Sequence, residues 1–251
     1  MNRQLTRIAG TLAGLAMAVS VAMPAFAVGP TPSGTGTDQT APPAAGHDGE
    51  ACREAKDAWK SDKTLVNLKL YGFCEIDRRL ATIRDLSDIV DGSEVLTDAH
   101  AAALARILDD SRTGLIALRS EIATDSTIET MTADVRRIST DYRIYVLVAR
   151  QVHLVQADDR VEKAVARLNG ASDRLAAAIQ RALESGKDVT EAQGHLNLMV
   201  AAITEAQSDV AGDAADVLAQ TPTSWNAGTA KPILDAARAS IVAARTDIRT
   251  A

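Results

Sequence analysis

The chain has 251 residues, of which 46% are hydrophobic and only 3% aromatic, and its net charge is −6. The apolar residues are mostly Ala, Leu, Val and Ile, which suit close-packed helices better than sheets. An acidic chain with interspersed charges and no basic block is poorly suited to binding nucleic acid. Composition therefore favours an all-α protein and excludes the nucleic-acid-binding class.

The first 27 residues predict a secretory signal peptide. Two arginines precede an apolar run over residues 8–23, and an Ala-X-Ala cleavage motif ends at Ala27. An uncleaved membrane anchor is the alternative, but the run is shorter than the ~20 residues that a spanning helix needs. We therefore expect a secreted, extracytoplasmic protein with no stable membrane insertion after cleavage.

Residues 28–49 predict a disordered linker. Gly, Pro, Ser, Thr, Ala and Asp dominate this stretch, so it has almost nothing to bury that would offset the entropy of ordering it. The folded part is then expected to follow as an N-terminal helical bundle over residues 50–153 and a C-terminal bundle over residues 154–251.

The two cysteines, Cys52 and Cys74, are expected to form a disulfide. Residues 50–61 predict a short helix, and a turn over residues 62–64 precedes the next helix, with Thr64 as its N-cap. Residues equally distant from the turn of an antiparallel hairpin face each other, and both cysteines are eleven positions from Lys63. Free thiols or pairing between chains are the alternatives, whereas the C-x-x-C spacing of a redox pair is absent from the sequence.

From Thr64 onward, apolar residues recur every three or four positions, which indicates amphipathic helices. A single glycine, Gly170, interrupts the longest run, and an isolated glycine does not force a helix to end. We predict five helices in this part of the chain: residues 64–90, 97–123, 127–184, 188–220 and 229–250.

These lengths predict an elongated antiparallel helical bundle of coiled-coil type. Two helices precede the long third helix and two follow it, and short connections make consecutive helices antiparallel neighbours. The simplest arrangement is two consecutive three-helix bundles that share the long central helix. The alternative is one compact bundle in which the long helix breaks near residues 150–157.

Residues 141–155 form the one distinctive stretch, because they are apolar on more than one helical face. A helix that is hydrophobic nearly all round is buried nearly all round, so packing where the two bundles join explains the pattern. A small cavity lined by Tyr142, Arg143, Tyr145 and His153 is the functional alternative. A metal site is not expected, because His153 and the nearby acids lack the spacing of paired helical ligands.

Two motifs carry a resemblance to a known group of proteins. The segments CEIDRRLATIRDL and DYRIYVLVARQVHLVQADD resemble motifs of exported all-helical proteins from actinobacteria, and the likeness extends over most of residues 64–250. The resemblance implies export and a helical fold. It implies no activity and transfers no catalytic residue.

No catalytic motif is present in the sequence: it contains no G-x-S-x-G elbow, glycine-rich phosphate loop or H-E-x-x-H pair. We therefore expect a non-catalytic protein without a cofactor. Its expected role is an interaction or structural module of the cell envelope or the medium, with an unidentified protein or envelope component as partner. The alternative function is a carrier of a small ligand or metal at the Tyr142–His153 junction.

Overall fold

A computed structural model describes residues 49–251, and every regular element in that range is helical. The predicted signal peptide and all but the last residue of the predicted linker lie outside the described residues. The helices are α1 (Gly49–Ser61), α2 (Leu65–Asp91), α3 (Asp98–Thr124), α4 (Ile128–Thr140), α5 (Ala149–Glu184), α6 (Thr190–Asp209), α7 (Asp213–Leu218), α8 (Pro222–Asn226) and α9 (Ala230–Thr250). The prediction of an all-α helical bundle is confirmed.

The first bundle consists of α2, α3 and α4. The hydroxyls of Thr64, Thr97 and Thr127 each accept a hydrogen bond from the backbone N–H three residues on, so each helix begins at a threonine N-cap. Helices α2 and α3 run antiparallel, and α4 packs against both. Their core consists of large aliphatic side chains that are almost completely buried: Leu68, Ile76, Ile83, Leu104, Leu108, Leu115, Leu118, Ile122, Met131 and Ile138.

Helix α1 folds back on the first turns of α2 and is fastened there by a disulfide. Cys52 and Cys74 are bonded, with 5.4 Å between their Cα atoms. Cys52 is the one buried residue of α1, and the partly buried Trp59 adds an apolar contact to the first core. The pairing derived from equal distances to the turn is thus what the structure shows.

The central segment differs from the predicted continuous helix. Helix α4 ends at Thr140, Arg143 adopts the left-handed conformation with φ 47°, and residues 144–148 form a π-helical turn before α5 begins. Neither glycine nor proline lies at this break, so its cause is tertiary rather than local. Helix α5 then runs without interruption through Gly170 and through residues 150–157, where the alternative arrangement placed a break.

The second bundle consists of α5, α6 and α9, with α7 and α8 as short connecting helices. The predicted fourth helix, residues 188–220, is divided into α6 and α7, because Gly212 takes a positive φ of 87°. After α7 ends at Leu218, α8 begins with a capping box formed by Thr221 and Ser224. The core of this bundle uses smaller side chains: Val161, Val165, Ile203, Ala206, Val210, Ile241 and Ala244.

The two cores meet along the first turns of α5. Val152 and Val155 belong to the first core and Val161 belongs to the second, while Leu154 contacts both. Trp225 packs beside Leu154 against a third, small cluster. The structure therefore has the two three-helix groups that were predicted, joined through the segment that leads from α4 into α5.

Candidate functional site

The four residues predicted to line a ligand cavity are placed in different surroundings. Tyr142 lies against α3, where a Cβ atom added to Gly114 would come within 2.5 Å of the tyrosine ring. Gly114 is therefore the residue that lets the ring approach the backbone of α3. Partial burial of Tyr142 raises the pKa of its hydroxyl. This side chain fills space rather than lining a void.

Arg143 is tied to α8 across the break. Its Nε donates to Asn226 Oδ1 over 2.7 Å, and a terminal guanidinium nitrogen donates to the same oxygen. Asn226 Nδ2 donates in turn to the backbone oxygen of Thr140 over 2.9 Å. One asparagine thus satisfies a carbonyl at the end of α4 and holds the left-handed residue that follows.

Tyr145 faces α2, where its ring centre lies 5.1 Å from the guanidinium carbons of both Arg78 and Arg79. Both arginines also pair with Glu75, which is largely buried. Among the described residues, the buried Tyr145 hydroxyl has no hydrogen-bond partner. The contact is a packed cation–π arrangement that joins the central segment to α2.

His153 is exposed and follows Tyr145 by eight residues, or about two helical turns. The structure thus places Tyr142, Arg143 and Tyr145 in packing contacts and His153 toward solvent. Apart from Asp141 and His153, residues 141–155 are buried or half-buried, as the pattern predicted. Ligand binding by these four residues stays a prediction.

A buried polar cluster that sequence reasoning missed lies where α5 passes the α2–α3 loop. The Asp159 carboxylate accepts from the backbone N–H of Thr97 and contacts Nδ1 of His100, each over 2.7 Å. The His100 side chain is 24% exposed, and its partner is a carboxylate that is 1% exposed. Asp159 therefore adds to the N-cap of α3 from 62 residues away.

Asp158, the neighbour of Asp159, is 2% exposed, and its Oδ1 finds no partner within residues 49–251. Burial raises the pKa of this carboxyl to about 7, with further increases from Glu162, Asp213 and Asp159. Across residues 49–251, no three His, Cys, Asp or Glu side chains form a group that could hold a metal ion. Burial thus favours the protonated form of Asp158.

The third candidate site, after the Tyr142–His153 junction and the Asp158–Asp159 cluster, is an apolar cleft between α5 and α6. It has a volume of about 580 Å³ and lies on the hairpin that these helices form, next to the end of α9 at Ala251. Its lining is mostly apolar: Leu175, Ala178, Ile179, Ala182, Val189, Ala192, Leu196, Met199 and Ala251, with Lys187, Asp188 and His195 at the rim. We call residues 173–195 the hairpin tip, and this stretch contains no buried residue.

The cleft is open because α9 ends before the α5–α6 hairpin does. The inward positions of α5 continue at three-four spacing from Val161, Val165, Leu168 and Ser172 to Leu175, Ile179 and Ala182. Val165 and Ser172 are 5% and 6% exposed, whereas Leu175 is 48% exposed. The repeat is unchanged, but α9 covers only its first part. The cleft is therefore the unfilled continuation of a three-helix core.

No protein-family model matches this sequence, and no curated protein or solved structure is significantly similar to it. Between residues 49 and 251, none of the helices combines the length and apolarity that a membrane-crossing segment requires.

Proposed function

We propose that this protein is a non-catalytic interaction module that works outside the cytoplasm, in the cell envelope or the medium, and that the cleft of the hairpin tip is its binding surface. The observation that carries the proposal is the exposure of Leu175 on a helical face whose preceding turns are buried. A helix docked in the cleft would pack against Leu175 in the way that α9 packs against the preceding turns of α5.

Among the described residues, large exposed apolar side chains occur on both bundles, and four of the ten lie on the α5–α6 hairpin. Leu175 lines the cleft and is 48% exposed, whereas Leu183 and Leu198, which are 52% and 69% exposed, lie on the same hairpin outside the cleft. Soluble proteins expose single apolar residues routinely, but a contiguous apolar surface marks an interaction site or a ligand groove. The hairpin tip therefore has the surface of a site that is covered when the protein functions.

Secretion is supported by two independent features. The first 27 residues have the pattern of a signal peptide, and the Cys52–Cys74 disulfide is a bond that persists in oxidising compartments. N-terminal sequencing of protein from the culture medium is expected to begin at Val28. Recovery of the protein from the cytosol with residues 1–27 still attached would contradict export.

A non-catalytic role agrees with what the buried polar groups do. Asp159 caps a helix, Gln151 donates to the carbonyls of Val217 and Gln220, and Glu75 pairs with two arginines. Asp159 and Gln151 join α5 to other parts of the fold, and Glu75 forms its ion pairs within α2. The cleft at the hairpin tip has a mostly apolar lining that these polar contacts do not use, which suits binding.

The experiment is site-specific photo-crosslinking in cells that export the protein. A photoreactive residue replaces Ala192, which is exposed and lines the cleft, or Ala239, which is exposed on α9 outside it. We expect discrete adducts at position 192 and none at position 239. The same label combined with Leu175→Glu should lose the adducts.

Equal labelling at both positions, or no adduct at position 192 in any fraction, would contradict a binding role for the cleft. Mass spectrometry of the adduct shows whether the partner is another protein or a second copy of this chain. A turnover activity that survives Leu175→Glu would also contradict the proposal, because it would place the function elsewhere.

A further inference from the structure

We propose that the occupant of the cleft is the hairpin tip of a second copy of this chain, so that two tips form a four-helix bundle about a two-fold axis. This inference rests on the proposed function, because it names the partner of the same surface. It is argued from the shape of the cleft, its small side chains, its charge and its area.

The cleft has the shape of a half-bundle. Two antiparallel helices present parallel apolar seams at heptad spacing, through Leu175, Ile179 and Ala182 on α5 and through Ala192, Leu196 and Met199 on α6. A two-fold axis perpendicular to the tip brings each seam opposite a seam of the other copy. Antiparallel four-helix bundles pack in this way, with layers of inward residues from all four helices.

Small residues beside the α5 seam allow a close approach. Ala164, Ala171 and Ala178 follow one another at seven-residue intervals on α5, and the first two are half-buried while Ala178 is exposed. The small-residue stripe is confined to α5: on α6, the position one heptad before the buried Ala202 is His195, a larger side chain that is exposed. The stripe that is covered in the second bundle therefore continues uncovered along the tip.

Charge allows two tips to meet. The tip carries four acids, Asp173, Glu184, Asp188 and Glu191, and three bases, Arg174, Arg181 and Lys187. It thus contributes only −1 to a chain whose net charge is −6. The acidic remainder of one molecule would repel that of another, whereas the tip carries both signs and can pair with itself.

The area limits the strength of the contact. The stretch of α5 beyond Ser172 is about 18 Å long, and two helices side by side are about 20 Å wide. Such a face measures about 360 Å² per copy, or about 720 Å² in total, which is below the ~1,200 Å² of a stable specific interface and suits a weak, transient contact. We therefore expect a reversible dimer with a dissociation constant in roughly the micromolar range.

Analytical ultracentrifugation of residues 28–251 tests the inference from low micromolar to near-millimolar concentration. The weight-average mass of the wild type should approach that of two copies. Leu175→Glu should weaken association at least tenfold, because it places a charge in the shared core. Val242→Glu is the matched control: Val242 is 57% exposed on α9, outside the cleft, and its replacement should leave association unchanged.

A cysteine at the centre of the tip gives a second measurement. Ala178 lies halfway along the exposed part of α5, so two copies of Ala178→Cys should meet near the axis and form an intermolecular disulfide. Ala239→Cys should crosslink much more slowly. Circular dichroism melting of each variant shows that it is folded.

A monomer at every concentration would overturn the inference, and so would a dimer that Leu175→Glu leaves intact. If the purified chain is monomeric while position 192 still crosslinks to another protein in cells, the second-copy inference fails and the interaction role stands. If neither association occurs, both fail.

Discussion

The two bundles follow the same three-four spacing, yet they are built from different side chains. The first buries Leu, Ile and Met, with Leu104, Leu115 and Ile122 at 0% exposure. The second relies on Val and Ala, such as Val165 and Ala206. Because larger side chains remove more apolar area from water, the first bundle gains more stability per layer.

The bundles also differ in how completely they are closed. Around α2 and α3, a disulfide holds α1, and α4 and the start of α5 cover the core, while Val66, Leu70 and Ile116 are exposed on the outer faces. Around α5 and α6, the covering helix α9 stops while the pair continues into the hairpin tip. The first bundle is therefore suited to stability, and the second, with smaller side chains and an open end, is suited to contact with a partner.

The largest effect that separates the bundles is expected from Leu115→Ala. Leu115 is fully buried in the first core, so the change should lower the free energy of unfolding by about 2–5 kcal/mol. Leu175→Ala, at the exposed tip, should change it by less than about 0.5 kcal/mol. Urea unfolding followed by circular dichroism measures both. Equal losses would mean that the tip is buried in the purified protein, as a tight dimer would require.

Removing the disulfide comes next. The double variant Cys52→Ala/Cys74→Ala opens a loop of 22 residues, for which chain entropy predicts a loss of about 3 kcal/mol. Helix α1 contacts α2 as its main neighbour, so faster amide exchange should be confined to α1 and the first turns of α2. Exchange that rises equally in α9 would contradict this local role.

The seams and the helix starts could be predicted from the sequence, because they depend on nearby residues. Threonine caps at Thr64 and Thr97 and the inward positions of α3 and α9 need only local spacing. The Cys52–Cys74 pairing needs only a turn and a count of residues. These parts of the fold follow from the three- and four-residue spacing of apolar positions.

The break after α4 and the cleft could not be predicted, because each depends on distant parts of the chain. The left-handed conformation of Arg143 is held by hydrogen bonds to Asn226, 83 positions away. His100 contacts Asp159, which is 59 positions away. The cleft exists because α9 stops short of the tip, and periodicity does not fix how far one helix extends along another. Apolar spacing in the tip is the same as in the buried core, so no local signal marks it as open.

The junction offers a pH-dependent test of the middle region. Asp158 has a pKa raised to about 7 mainly by burial, above the 3.8 of an ordinary carboxyl, so the folded state favours the protonated form. This group therefore supports folding fully below about pH 4, and its contribution falls as the pH rises and is lost above about pH 7.

Asp158→Asn should then raise the free energy of unfolding by on the order of 2 kcal/mol at pH 8 and change it little at pH 4. Chemical denaturation across this range measures the difference. Asp216→Asn, an exposed change on α7, is the control and should shift stability equally at both pH values. A variant that is less stable than the wild type at pH 8 would show that the ionised Asp158 has a stabilising partner.

The smallest effect is expected at the break between the bundles. Asn226→Ala removes the acceptor of Arg143 and the donor to the Thr140 carbonyl, and should cost about 1–2 kcal/mol. Asn197→Ala is the control, because this exposed asparagine bonds only to Gln193 of its own helix, and it should cost a few tenths of a kcal/mol at most.

Two substitutions at Arg143 separate its hydrogen bonds from its backbone conformation. Arg143→Ala and Arg143→Gly both remove the guanidinium, but glycine adopts a φ of 47° without the steric cost that alanine meets. Arg143→Gly should therefore be more stable than Arg143→Ala by about 1 kcal/mol, although glycine is the poorer helix former. The opposite order of stability would mean that residues 141–143 become helical once the hydrogen bonds between Arg143 and Asn226 are removed. The two bundles would then be joined by a continuous helix that tertiary contacts interrupt only in the wild type.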